Sequence, residues 1–170
     1  NPADVLQPPL IFVLDREKEA NMKRTLMAAC VILVLTGCVM QLPLVKNTSS
    51  GYPEGIFSNA TAEEVRSKII DGCSSRGIMV QETTGNQIVC GKTMEGMDAV
   101  LGSLMVGNKY STTPERKIRF VIFQNGSDVK VTAQQWIESQ MAFGQIRRVE
   151  LRNNNHINDV QQFLFSLGAQ

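Results

Sequence analysis

Lys117-Ile118-Arg119-Phe120-Val121-Ile122-Phe123-Gln124-Asn125-Gly126-Ser127-Asp128-Val129-Lys130-Val131-Thr132-Ala133 decides the fold. Ile118, Phe120 and Ile122 recur every second residue, the period of a strand with one buried face. Asn125-Gly126 between two such runs predicts a tight hairpin with a type I′ turn. Val129, Val131 and Ala133 continue the return strand, which extends toward Trp136 and Ile137. Upstream, Ile78-Met79-Val80-Gln81-Glu82 and Gln87-Ile88-Val89-Cys90 flank Thr83-Thr84-Gly85-Asn86 and predict a second hairpin. Ile146, Val149 and Leu151 follow the breaker Gly144 and read as either an extra short strand or coil.

Helices surround these hairpins. Thr61-Ala62-Glu63-Glu64 is a capping box, in which the Thr hydroxyl takes a free backbone N–H and Glu64 reaches back. Ala62, Val65, Ile69 and Cys73 then share a face, and Gly77 stops the helix expected over 62–76. Met97, Val100, Leu101, Leu104 and Met105 fall at i, i+3, i+4, i+7 and i+8, a second short amphipathic helix ending at Gly107-Asn108. Ile157, Val160, Phe163, Leu164 and Leu167 make a C-terminal helix with Asn155 as its expected cap. The fold class is α+β: a two-layer domain over 61–170, with an antiparallel four-stranded sheet and helices packed on one face.

Composition narrows the function. The chain has 170 residues, 17 Lys+Arg against 16 Asp+Glu and a net charge of +1. A nucleic-acid binder that works by bulk charge is excluded. One His and four Cys leave no multi-His metal site. His156 sits among Asn153, Asn154 and Asn155 and reads as a capping or solvent-exposed side chain. Gly91 to Gly107 lacks the lysine spacing of a phosphate loop. No nucleophile stands beside a general base, so no catalytic residue, cofactor or metal is expected and the chain reads as a non-enzyme.

The clearest signal is an address. Met22-Lys23-Arg24 is a short positive region, and Leu26 to Leu35 is an uncharged apolar run. That is the pattern of an export signal; a spanning helix would need about 20 apolar residues. Leu35-Thr36-Gly37-Cys38 resembles the lipobox of bacterial lipoproteins. The resemblance implies cleavage before Cys38, with diacylglyceryl and acyl groups on that residue as the only covalent additions. Several acyl chains anchor a protein firmly without spanning the bilayer. Val39, where an Asp would retain a lipoprotein in the inner membrane, implies sorting to the outer membrane, facing the periplasm. Residues 22–37 are then signal peptide. Residues 1–21 are expected to be an upstream extension that is not native, the rival being a genuine N-terminal strand and helix. Residues 38–60, with Pro43, Thr48-Ser49-Ser50-Gly51, Pro53 and Gly55, read as the lipidated terminus and a flexible tether. Met40, Leu42, Leu44 and Val45 offer places where part of it docks.

The element order over about 61–168 resembles the helix-grip domains of BamC, a lipoprotein of the outer-membrane barrel-assembly machine. That resemblance implies a lipid-anchored binding or scaffold module whose partners are envelope proteins. The alternative is a periplasmic carrier of a hydrophobic ligand, held between helices and sheet. Oligomeric state is not read from the sequence.

Candidate contacts follow. Cys73 and Cys90 face one helix–sheet layer, and a disulfide needs a Cα separation of about 5.5–6 Å. An oxidising periplasm would allow it; two buried thiols packing as small apolar groups is the other reading. Met97 and Met105 belong to core or to an adaptable contact surface. Trp136 is an outward interface anchor if its strand stays regular, and a core residue if a bulge turns it. Arg147 and Arg148, with Arg152, Arg116, Lys117 and Arg119, form either a basic face or ordinary solvated surface.

Overall fold

The computed structural model describes residues 42–107 and 111–170. The signal region, Cys38 and the 1–21 extension lie outside the described residues. In chain order the elements are β1 (Glu54–Phe57), α1 (Ala62–Ser75), β2 (Met79–Thr84), β3 (Gln87–Thr93), α2 (Gly96–Val106), β4 (Glu115–Asn125), β5 (Asp128–Gln140), a 3₁₀ turn (Ala142–Gly144), β6 (Ile146–Glu150) and α3 (Asn154–Ser166).

The fold is α+β, built on an antiparallel sheet. The sheet has six strands where four are predicted. The predicted hairpins supply β2–β3 and β4–β5, ordered β5-β4-β3-β2. Two short strands then share the far edge of β5: β1 pairs with Val129–Thr132 and β6 with Trp136–Gln140. β5 is long enough, at 13 residues, to hold both. The C-terminus closes that edge, because Ile56 and Gln170 exchange backbone hydrogen bonds of 3.1 and 2.9 Å.

The central hairpin pairs Asn125 with Asp128, so its turn residues are Gly126 and Ser127. Gly126 has φ of 62° and Ser127 stays at negative φ, which is the type II′ pattern and not the predicted type I′. The shift moves every partner by two residues and leaves each side chain on its predicted face. Pairing then runs without a break from Asn125–Asp128 to Glu115–Glu138. No bulge turns β5 over.

Ile88, Cys90, Phe120, Ile122, Val131 and Ala133 therefore share the covered face. They pack against Val65, Ile69 and Cys73 of α1 and Val160, Phe163 and Leu164 of α3. The rings of Phe120 and Phe163 lie 5.4 Å apart. Thr61 caps α1 as the sequence predicts: its hydroxyl accepts from Glu64 N at 3.2 Å and Glu64 accepts from Thr61 N at 2.8 Å. At the other end Ile78 N donates to Cys73 O and Gly77 N to Ser74 O, both at 3.0 Å, a Schellman closure. α3 is capped by Asn153 and not Asn155, its side chain accepting from His156 N at 3.0 Å. An N-cap side chain reaches the amide three residues on, and only Asn153 has that spacing to the observed first turn.

The expected boundary at 60/61 moves upstream. Residues 42–60 hold β1 and a strap along α3. Asn158 accepts from Val45 N at 2.8 Å and donates to Pro43 O at 2.9 Å. Gln161, 1% exposed, accepts from Glu54 N and donates to Glu54 O. Two buried amides on α3 thus satisfy the strap's backbone, which a water-facing tether would leave to solvent.

Candidate functional site

α2 is where sequence and structure part most. Its large apolar side chains point outward: Met97 is 72% exposed, Leu104 79%, and Val100, Leu101 and Met105 are all exposed. Its inward side is Ala99, Gly102 and Val106. A Cβ on Gly102 would lie 2.8 Å from Met94 Sδ and 3.3 Å from Pro114 Cβ. Small residues let this helix sit close to the second core cluster of Met94, Val106, Ile137 and Leu151. Periodicity located the stripe of large residues correctly, and of its two readings, core or adaptable contact surface, its exposure removes the first. Met97 and Met105 are surface residues, and the core reading of the stripe is overturned.

Trp136 lies on the face opposite Val131 and Ala133, yet it is only 4% exposed. Two guanidinium groups enclose its ring: Arg148 at 4.5 Å and Arg119 at 5.3 Å from the centroid. Trp136 Nε1 donates to Glu138 at 2.6 Å. Glu138 also takes Lys117 at 2.6 Å and Arg148 at 3.1 Å. Burial pushes the Glu138 carboxyl upward, but these bonds outweigh it and hold it below the usual carboxylate range. Burial likewise opposes the Lys117 charge, and Glu138 and Glu115 raise its pKa despite that. Trp136 presents no free ring to a partner, and of the cluster's groups Arg119 alone keeps a buried Nε without a hydrogen-bond partner. Arg147 and Arg148 alternate along β6, so only Arg148 joins the cluster. Arg116 lies on the covered face while Lys117 and Arg119 lie on the open one, so of the two readings the single basic face fails, its cations being divided between two sides.

Cys73 and Cys90 are joined as a disulfide, with a Cα separation of 6.6 Å, and both are fully buried. The bond ties α1 to β3. No thiol there is available for chemistry.

A cavity of about 680 Å³ opens on the covered face between α2 and the α1–α3 pair. Ile118 and Gln135 form its floor, with Met94, Val160 and Phe163 as apolar walls. Arg76, Lys92 and Arg116 also line it, as do the carboxylates Glu95, Asp98 and Asp159. Arg76 is already engaged, donating to Ser166 Oγ at 2.9 Å and stacking 4.8 Å from the Phe163 centroid. Lys92 and Arg116 stand directly opposite each other on β3 and β4. Like charges in that relation repel. Among the described residues neither has a carboxylate within 4.0 Å. Gln135 is 6% exposed, and its Nε2 has no hydrogen-bond partner. A buried donor left without an acceptor costs about 1–3 kcal/mol.

Sequence reasoning missed this site. The signal was there: Val131-x-Ala133-x-Gln135-x-Ile137 places one amide in an otherwise apolar alternation. His156, in the first turn of α3, has a buried and unpartnered Nδ1. Burial first, and the Arg116 charge second, hold its pKa below the ordinary histidine value. No group of three or more His, Cys, Asp or Glu placed to hold a metal occurs among the described residues. Comparison with protein families, curated proteins and solved structures returns no match.

Proposed function

We propose that this chain is a lipid-anchored envelope protein whose folded domain is a binding or scaffold module, docking an envelope protein through α2. The carrying observation is the outward stripe of Met97, Val100, Leu101, Leu104 and Met105. A contiguous apolar patch of this kind is characteristic of an interaction surface. Methionine at both ends adapts to an irregular partner. A protein suits the stripe better than a bilayer does. Helices that lie in the membrane interface carry Lys and Arg beside their apolar face. Gly96–Val106 has neither, and its only charge is Asp98.

The anchor rests on Leu35-Thr36-Gly37-Cys38, and the outer-membrane address on Val39. The BamC-like element order supports a role in steadying a larger envelope assembly. No catalytic step is assigned.

Two measurements test the reading. Labelled palmitate should enter the protein expressed from Met22 in a Gram-negative host and should be lost with Cys38→Ala. Equal label in both would end the anchor argument. A photo-crosslinker at Leu104 should give one discrete protein adduct in those cells, absent with a second substitution, Leu101→Asp. If the unlipidated chain instead floats with liposomes and Leu104→Asp abolishes flotation, the stripe is a membrane surface and the protein-docking reading fails.

A further inference from the structure

We infer that the cavity on the covered face of the sheet is a binding site for an amphiphilic organic anion, a carboxylate head on an apolar body. The inference is independent of the α2 contact and of the lipid anchor.

Three observations meet in one place. The first is the orphaned Gln135 Nε2, a donor on the cavity floor with no acceptor. Its counterpart Gln161 is also buried and uses both ends of its amide on Glu54. The fold can therefore satisfy a buried glutamine, and at position 135 it leaves the amide open. The second is the Lys92–Arg116 pair, side by side across β3 and β4 with no carboxylate of their own. Cross-strand neighbours stand about 5 Å apart, close enough to share one anion. Gln135 is one strand further on, opposite Ile118, two residues along β4 from Arg116. All three groups offer N–H donors, the chemistry that binds a carboxylate. The third is the apolar remainder, Ile118, Met94, Val160 and Phe163, which suits a hydrocarbon body.

The mouth selects the charge. Glu95, Asp98 and Asp159 are exposed and offset the three lining cations, so the cavity is neutral as a whole. A polyphosphate would meet those carboxylates at the entrance. A single carboxylate is offered two cations with no carboxylate of their own, exposed Lys92 and half-buried Arg116, beside the Gln135 amide. The volume lies within the usual range for small-ligand sites.

The test is a titration of the full chain with decanoate below its micelle concentration, followed by ¹H–¹⁵N spectra. Saturable binding is expected, with the Gln135 side-chain amide among the shifted resonances. Arg116→Gln and Gln135→Leu should each weaken decanoate about tenfold, the loss of one charge-assisted or buried hydrogen bond. Lys92→Gln, at an exposed position, repeats the test where either variant unfolds. Decanol and decyltrimethylammonium should bind at least tenfold more weakly, as should acetate and inorganic phosphate. Equal affinity for decyltrimethylammonium or decanol would mean a merely greasy cleft. Equal affinity for acetate or phosphate would remove the role of the apolar body. Shifts confined to Met97–Met105 would place the amphiphile on α2. Any one of these overturns the proposal.

Discussion

On the open face of the sheet, Lys117, Lys130 and Arg148 each reach a carboxylate within 3.1 Å, and Arg119 lies over Trp136. On the covered face, Lys92 and Arg116 face each other with no carboxylate, above a glutamine whose amide has no partner. For half-buried Arg116 and buried Gln135 the ordinary expectation is the reverse, while Lys92 is exposed. Charges exposed to water need no partner, while those beside a core do. The open face is a finished structure. Lys117, Arg148, Trp136 and Glu138 consume one another's hydrogen bonds; Arg119 stacks on Trp136 and leaves its buried Nε without an acceptor. On the covered face the Gln135 amide, Lys92 and Arg116 have donors to spare at one spot, and there the helices leave a cavity. An unpaired donor under cover is a stronger sign of a binding site than a charged residue in solvent.

Five tests probe the difference between the two faces, in order of falling effect on stability. Replacing both Cys73 and Cys90 by Ala should lower unfolding free energy by about 3 kcal/mol, since the bond closes a loop with a separation of 17 residues. Denaturant unfolding with and without reductant measures it. An unchanged midpoint would mean that the covered face is held by packing alone.

Glu138→Gln comes next, at about 2 kcal/mol. It removes the charge that Lys117, Arg148 and Trp136 share; the figure sits below the roughly 3–5 kcal/mol of a fully buried broken pair because Arg148 is half exposed. The pH dependence has a fixed sign. A carboxyl depressed in the folded state contributes fully above its unfolded pKa of 4.5, and the contribution is lost as pH falls through the lower folded value. The wild-type advantage over Glu138→Gln should thus vanish on acidification below 4.5. His156 on the covered side also has a lowered pKa, so its loss begins earlier, as pH falls below 6.5. Melting curves of wild type and His156→Gln across that range should diverge, the variant holding its stability. If both losses fell in one window, the two sides would not be electrostatically separate.

Gln135→Leu should be neutral or raise stability by about 1 kcal/mol, because it deletes a donor with no acceptor and keeps the volume. A loss above that size would show that the amide has a structural partner. Arg116→Gln should change stability by less than about 0.5 kcal/mol, or raise it, as repulsion from Lys92 is relieved. Guanidinium denaturation of both variants beside wild type decides these two.

Much of this was legible in the chain. The alternation of Ile118, Phe120 and Ile122 set the covered face of β4, because strand geometry leaves a side chain only two directions. Thr61 and Glu64 marked the start of α1, because a cap is satisfied within four residues. The tether was harder to read. Residues 54–57 have no strong strand pattern, and β1 exists because the β5 edge and the C-terminal Gln170 offer it partners. The site was partly written: Gln135 interrupts an apolar alternation. Its lack of a partner depends on where α2 and α3 stop short of the sheet, which no local pattern records.

The sequence by itself determined the three helices, the two hairpins and the faces of their strands, since each of these depends on residues close along the chain; β1 and the type of the central turn came only with the sheet. Only the tertiary structure decided which side of α2 is buried. A helix carries two candidate faces, one large and apolar and one small. Hydrophobicity alone favours the first. Close approach at Gly102, with Met94 and Pro114 less than 3.5 Å from a would-be Cβ, selected the second. That contact joins α2 to segments on either side of it, from β3 to the entry of β4, so it exists only once the sheet has formed.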